Sequence, residues 1–150
     1  MSSPMRFETP QDVEDAYYDA LEAGDAEAMA SVWADSEAIF CLLPMTPLAV
    51  GEQVGRLWRI LFESGRGFDL QVRHLLWIEE GELAVHLVEE QPQIQPDQRT
   101  PGAPLPPPLY ATHVFRRGAD GWRLLVHQSS PTPPPAPGVP SASAGRTALA

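Results

Sequence analysis

The run Tyr110 to Pro131, YATHVFRRGADGWRLLVHQSSP, limits what this chain can fold into more than any other stretch. Two alternating segments flank Gly118-Ala119-Asp120-Gly121, and Gly and Asp accept the positive φ angles of a tight hairpin turn. Pairing Arg117 with Trp122 sets Phe115 beside Leu124, His113 beside Val126 and Ala111 beside Gln128. Because side chains alternate along a strand, these share one mostly apolar face. The other face carries Tyr110, Thr112, Val114, Arg116, Arg123, Leu125 and His127, and its two arginines call for water. A slip of one residue would exchange the faces, so the turn decides which side chains point inward.

Upstream, Phe68 to Ile78 reads as a strand with Phe68, Leu70, Val72, His74, Leu76 and Ile78 on one face. After the turn at 79–82, a strand over 83–90 places Leu83, Val85 and Leu87 on the apolar face and Ala84, His86 and Val88 opposite. The first half is helical. Thr9 is a good N-cap and Pro10 suits the first helical position. Val13, Ala16, Tyr17, Ala20 and Leu21 follow at helical spacing, and Gly24 stops the helix. Asp25 caps a second helix to about Ala34. Residues 37–43 form a short strand, and a third helix runs over 52–64 with Val54, Leu57, Trp58, Leu61 and Phe62 as its apolar stripe. Three helices with one short strand, then four long strands in two hairpins, predict an α+β fold: a strongly curved antiparallel sheet with three N-terminal helices over its concave face. The ordered domain is expected over 9–131. The proline-rich segment 91–108 is a lid, a docking segment or a loose insertion, and 132–150 is expected to be a disordered Pro/Ser/Ala-rich tail.

Composition narrows the function. The 150 residues carry a net charge of −10 and contain no lysine, so a phosphate backbone is repelled and nucleic acid is an unsuitable partner. Cys41 is the one cysteine, which rules out an internal disulfide. The first twelve residues lack an apolar signal core, and no apolar run is long enough to span a bilayer, so no membrane partner and a cytoplasmic location are expected. The four histidines show no HxH or HxxxH spacing and no Gly-rich phosphate loop occurs, so neither metal nor cofactor is expected.

The run DVEDAYYDALEAGDAEAMASVWADSEAIF, then LAVGEQVGRLWRILF, and finally GWRLLVHQSSP resembles the SnoaL-like branch of the nuclear transport factor 2-like superfamily over about residues 9–131. The resemblance implies a cone-shaped α+β barrel, usually dimeric, with a pocket between helices and sheet. It does not imply one activity, because this fold hosts isomerases, cyclases, dehydratases, hydrolases and assembly domains. Against ketosteroid isomerases of the superfamily, Tyr17 matches the helical tyrosine donor. Cys41 stands where the base aspartate would be, and His113 falls near the second donor.

These readings make Tyr17 and His113 the candidate proton-handling pair, in a pocket lined by Cys41, His74, Val85, Leu87, Phe115, Leu124 and Gln128. Each also fits a plain packing role, His113 as a core histidine satisfied locally and Cys41 as a small apolar side chain. The expected ligand is a small apolar, ring-containing molecule, and whether catalysis occurs is left open. Leu75, Trp77, His86 and His127 on the opposite sheet face suggest a homodimer surface. The alternative function is a non-enzymatic assembly domain resembling the association domain of calcium/calmodulin-dependent kinases.

Overall fold

The computed structural model describes residues 5–65, 67–93, 100–134 and 137–138. Of the expected tail, 135–136 and 139–150 therefore lie outside the described residues, as does 94–99 of the proline-rich segment. The helices are α1 (Pro10–Ala23), α2 (Ala26–Val32) and α3 (Gln53–Leu61). The strands are β1 (Phe40–Leu42), β2 (Ala49–Val50), β3 (Leu70–Glu80), β4 (Leu83–Pro92), β5 (Leu109–Gly118) and β6 (Gly121–Pro131). No helix among the described residues is long and apolar enough to cross a membrane.

Local chemistry explains the helix ends. The Thr9 hydroxyl accepts from the Asp12 amide at 3.1 Å, and Gly24 leaves α1 at φ 65°. Asp25 caps α2 by accepting from the Ala28 amide at 3.0 Å. The stripes read from the sequence meet the sheet: Val13, Tyr17, Leu21, Met29, Val32 and Trp58 pack into one core with Ala84, Phe115, Trp122 and Leu124.

The sheet runs β2-β1-β6-β5-β4-β3 and does not close. It is mixed rather than purely antiparallel, because β1 lies parallel to β6, with Cys41 opposite His127. The two-residue β2 has no counterpart in the sequence reading; it pairs antiparallel with β1. Hairpin pairing follows the expected register at Arg117–Trp122 and Phe115–Leu124, then shifts by one. Val114 faces Val126, and His113 faces His127. Leu125 is the extra residue of a β-bulge, which bends its strand and re-aims the side chains beyond it. A second shift, between His74 and Leu76, places Trp77 opposite His86.

These two bulges and the β4 register correct the faces assigned from sequence. On β4 the buried set is Ala84, His86, Val88 and Glu90, while Val85 and Leu87 are half-buried on the outer face. Gln128 is exposed, and His127 takes its inward place. His86 and His127 therefore belong to the concave face. Alternate positions of β4 are apolar on both sides, so hydrophobicity had nothing to choose between them. The choice is made by polar partners on α1.

Candidate functional site

Glu14 sits on the sheet-facing side of α1 at 1% exposure, one turn before Tyr17 and Tyr18. Three imidazoles converge on its carboxylate. His74 Nε2 contacts Oε1 in a short hydrogen bond, while His86 Nδ1 at 2.9 Å and His113 Nδ1 at 2.8 Å share Oε2. Burial opposes ionisation of Glu14, but the hydrogen bonds from His113 and His86 outweigh it and hold the carboxyl well below the usual carboxylate range. An ionised carboxylate only accepts, so all three histidines turn N–H groups toward it.

The polarity then propagates along a chain of contacts. With the Nδ1 proton of His113 on Glu14, the tautomer in which His113 Nε2 accepts from His127 Nδ1, 2.8 Å away, continues the chain. His127 is left with a lone pair on Nε2, which lies 3.1 Å from the Ser129 hydroxyl and 3.4 Å from the Tyr17 hydroxyl. Proton positions here are set by the network as a whole. Burial and the neighbouring His113 push the His127 pKa well below the ordinary histidine value, which keeps the ring uncharged at neutral pH.

A second dyad stands alongside. Tyr18 donates to Glu90 Oε2 at 2.5 Å, and Glu90 is 3% exposed. Burial raises the Glu90 carboxyl pKa against the lowering effect of Tyr18 and His113. Both tyrosine hydroxyls are pushed well above their ordinary value, first by burial and then by Glu90, so they remain protonated donors. One ring nitrogen or carboxylate oxygen each of Glu90, His113 and His127 lies within 4.8 Å of the others. Tyr17, Glu90, His127 and Ser129 line a cleft of about 800 Å³ whose remaining wall is mostly apolar, including Leu21, Trp58, Phe68 and Leu70. The Trp58 indole N–H has no hydrogen-bond partner among the described residues.

Of the residues singled out from sequence, Tyr17 lines the cleft and His113 stands directly behind His127 in the relay. His74 reaches Glu14 at the sheet edge. Cys41 is fully buried, and burial together with Glu90 pushes its thiol up to about 12. Phe115 and Leu124 fill the core beyond the histidines. Val85, Leu87 and Gln128 lie on the other side of the sheet. Sequence reasoning missed Glu14, Tyr18, His86, Glu90 and His127 as site residues. One signal was present: a lone carboxylate inside an apolar helical stripe, and His86-x-x-x-Glu90 on one face of a strand. The bulge that turns His127 inward left no such trace.

These shifts give a signed expectation for stability. The unfolded chain protonates His127 below its ordinary value of 6.5 while the folded chain resists, so stability falls as pH drops below about 6.5. Glu14 adds a further loss below its ordinary value of 4.5, since its stabilisation is complete above that pH and fades as acid protonates it. Glu90 opposes them, costing stability above 4.5 that is regained on acidification. Urea midpoints measured from pH 8 to 5 should therefore decline, and His127→Gln should flatten the part that begins near 6.5. An equally steep decline in the variant would contradict the assignment.

A SnoaL-like domain model matches residues 11–134. Among solved structures, the chain is similar to a Thiobacillus denitrificans protein described as a calcium/calmodulin-dependent protein kinase type II association domain. The two share 33% identity over 86% of this chain and 99% of that one, with a TM-score of 0.75. It is also similar to a Streptomyces avermitilis protein described as a dehydratase of the nuclear transport factor 2-like family, at 27% identity over 81% and 91% of the two chains, TM-score 0.65. A ketosteroid isomerase-like protein of Erwinia carotovora atroseptica shares the fold at 18% identity, covering 83% of this chain and 94% of that one, TM-score 0.63. No curated protein matches significantly.

Proposed function

The chain belongs to the SnoaL-like family of the nuclear transport factor 2-like superfamily, and from that premise we propose that it is an acid–base catalyst for a small, largely apolar, ring-containing carbonyl compound. The observation that carries this reading is the Nε2 of His127, beside the Ser129 and Tyr17 hydroxyls in the wall of a mostly apolar cleft and backed by His113 and the buried Glu14. When His127 takes a proton from a carbon next to the carbonyl, its Nδ1 proton can pass to His113 Nε2. The positive charge then rests beside the Glu14 carboxylate instead of in the cleft. Glu90, its carboxyl raised by burial, is placed to donate to the carbonyl oxygen or to a departing hydroxyl. Burial thus keeps His127 uncharged and favours the protonated form of Glu90 in one site, at the cost of a weaker base. Names of similar proteins, an isomerase-like protein and a dehydratase, agree with this chemistry.

The test is deuterium exchange at the α-carbon of a panel of cyclic ketones and β-hydroxyketones, followed by proton NMR. Wild-type protein should accelerate exchange for at least one of them, and His127→Gln should lower that rate by about 10²–10⁴-fold. Acceleration that survives the substitution, or none across the panel, would overturn the reading.

An assembly role is the second reading, favoured by one observation. Leu76, Ile78 and Leu83 lie 47%, 53% and 49% exposed on the outer side of β3 and β4. This face, rather than one holding Trp77, His86 and His127, is the proposed homodimer surface. Light scattering at micromolar concentration should give twice the chain mass, reduced to one by Ile78→Asp. A monomeric wild-type chain would remove the proposal.

A further inference from the structure

All four histidines of the chain gather on one sheet face, yet the relay uses only two of them. His74 and His86 are left over, and both aim a ring nitrogen at Glu14. The proposed chemistry moves no proton through either ring. We propose that Glu14, His74 and His86 form a binding site for one divalent first-row transition ion of the zinc type, separate from the cleft.

Three observations support this. First, the donor set is two imidazole nitrogens and a carboxylate oxygen, which suits borderline ions such as Zn²⁺ and Co²⁺ better than hard cations, which prefer oxygen alone. Second, the three donor atoms lie within 4.8 Å of one another. Donors about 2.0–2.2 Å from a shared ion stand roughly 3.4 Å apart in a tetrahedron, so small side-chain rotations complete the set. Third, the site can be reached. The His74 side chain is 33% exposed on edge strand β3, while Glu14 and His86 are at 1% and 6%, so an ion enters from the edge and a water can fill its fourth position. Trp77 stacks on His86 at 5.3 Å and meets His74 edge-on at 5.1 Å, fixing both ring planes.

Binding requires each imidazole to carry its one N–H proton on the far ring nitrogen, His74 Nδ1 and His86 Nε2, so that the nitrogens facing Glu14 are left as ligands. The ion then replaces two N–H···O contacts with coordinate bonds. His113 keeps its own bond to Oε2, so the relay survives. A bound ion ties α1 to the two outermost strands of an open sheet, and the chain's net charge of −10 favours cation capture.

The experiment uses tag-free full-length chain, stripped with chelator and titrated with ZnCl₂ by calorimetry and with CoCl₂ by visible absorption. One equivalent should bind, with the intense d–d bands of four-coordinate Co²⁺ and a rise in thermal midpoint that EDTA reverses. His74→Gln, on an exposed and tolerant position, should weaken affinity by more than the roughly 10–100-fold cost of losing an outer partner. His86→Gln should do the same. His127→Gln should bind as the wild type does, so loss of the base and loss of the ion are separable. No saturable binding, or binding unchanged in His74→Gln, would overturn the site.

Discussion

Replacing Glu14 with alanine is expected to lower the folding free energy by about 3–5 kcal/mol in urea titrations. That is the usual cost of removing one partner from a buried charged network. The reason is the number of groups orphaned. His74, His86 and His113 all donate to this carboxylate, and two of them are buried with it. Without it, buried imidazole N–H groups face alkyl surface, and each unsatisfied donor is costly. Glu14→Gln keeps the volume and one acceptor oxygen and should lose less. If the alanine variant lost less than about 1 kcal/mol, the carboxylate would not be the anchor described.

Gly67→Ala should cost about 3 kcal/mol, although the residue lies outside every helix and strand. A Cβ there would stand 2.0 Å from the Glu22 carbonyl oxygen and 2.3 Å from that of Leu21. Both are backbone atoms at the end of α1, so neither can swing aside. Moving the chain away would break the 2.9 Å bond from the Phe68 amide to the Leu21 carbonyl, which ties the start of the sheet to α1. Gly55 supplies the opposite control. It lies inside α3, where an added Cβ meets only the Arg59 side chain at 3.5 Å, and Gly55→Ala should stabilise by about 0.5–1 kcal/mol. Equal effects at the two positions would refute the close approach at Gly67.

Much of the fold was open to reading because its signals are local. Thr9, Gly24 and Asp25 act through hydrogen bonds and φ angles within a turn or so of themselves, and the apolar stripes of α1 and α3 need only a 3.6-residue period. The turn before Gly121 fixed the hairpin register as far as Phe115–Leu124. The candidate site was only half visible. Tyr17, His74 and His113 stand out in the sequence, while alternation puts the proposed base, His127, on the wrong face because one extra residue at Leu125 reverses it.

The amino-acid sequence alone determined the order of the helices and long strands, the caps of the first two helices, the family resemblance and the absence of histidine spacing typical of a metal site. Tertiary structure alone decided that His74, His86 and His113, from three different strands, meet a single carboxylate from the first helix, and that His127 joins them through His113. The physical reason is that ring nitrogens and carboxylates interact through space within about 3 Å, and neighbouring strands bring together residues whose separation along the chain carries no trace of it.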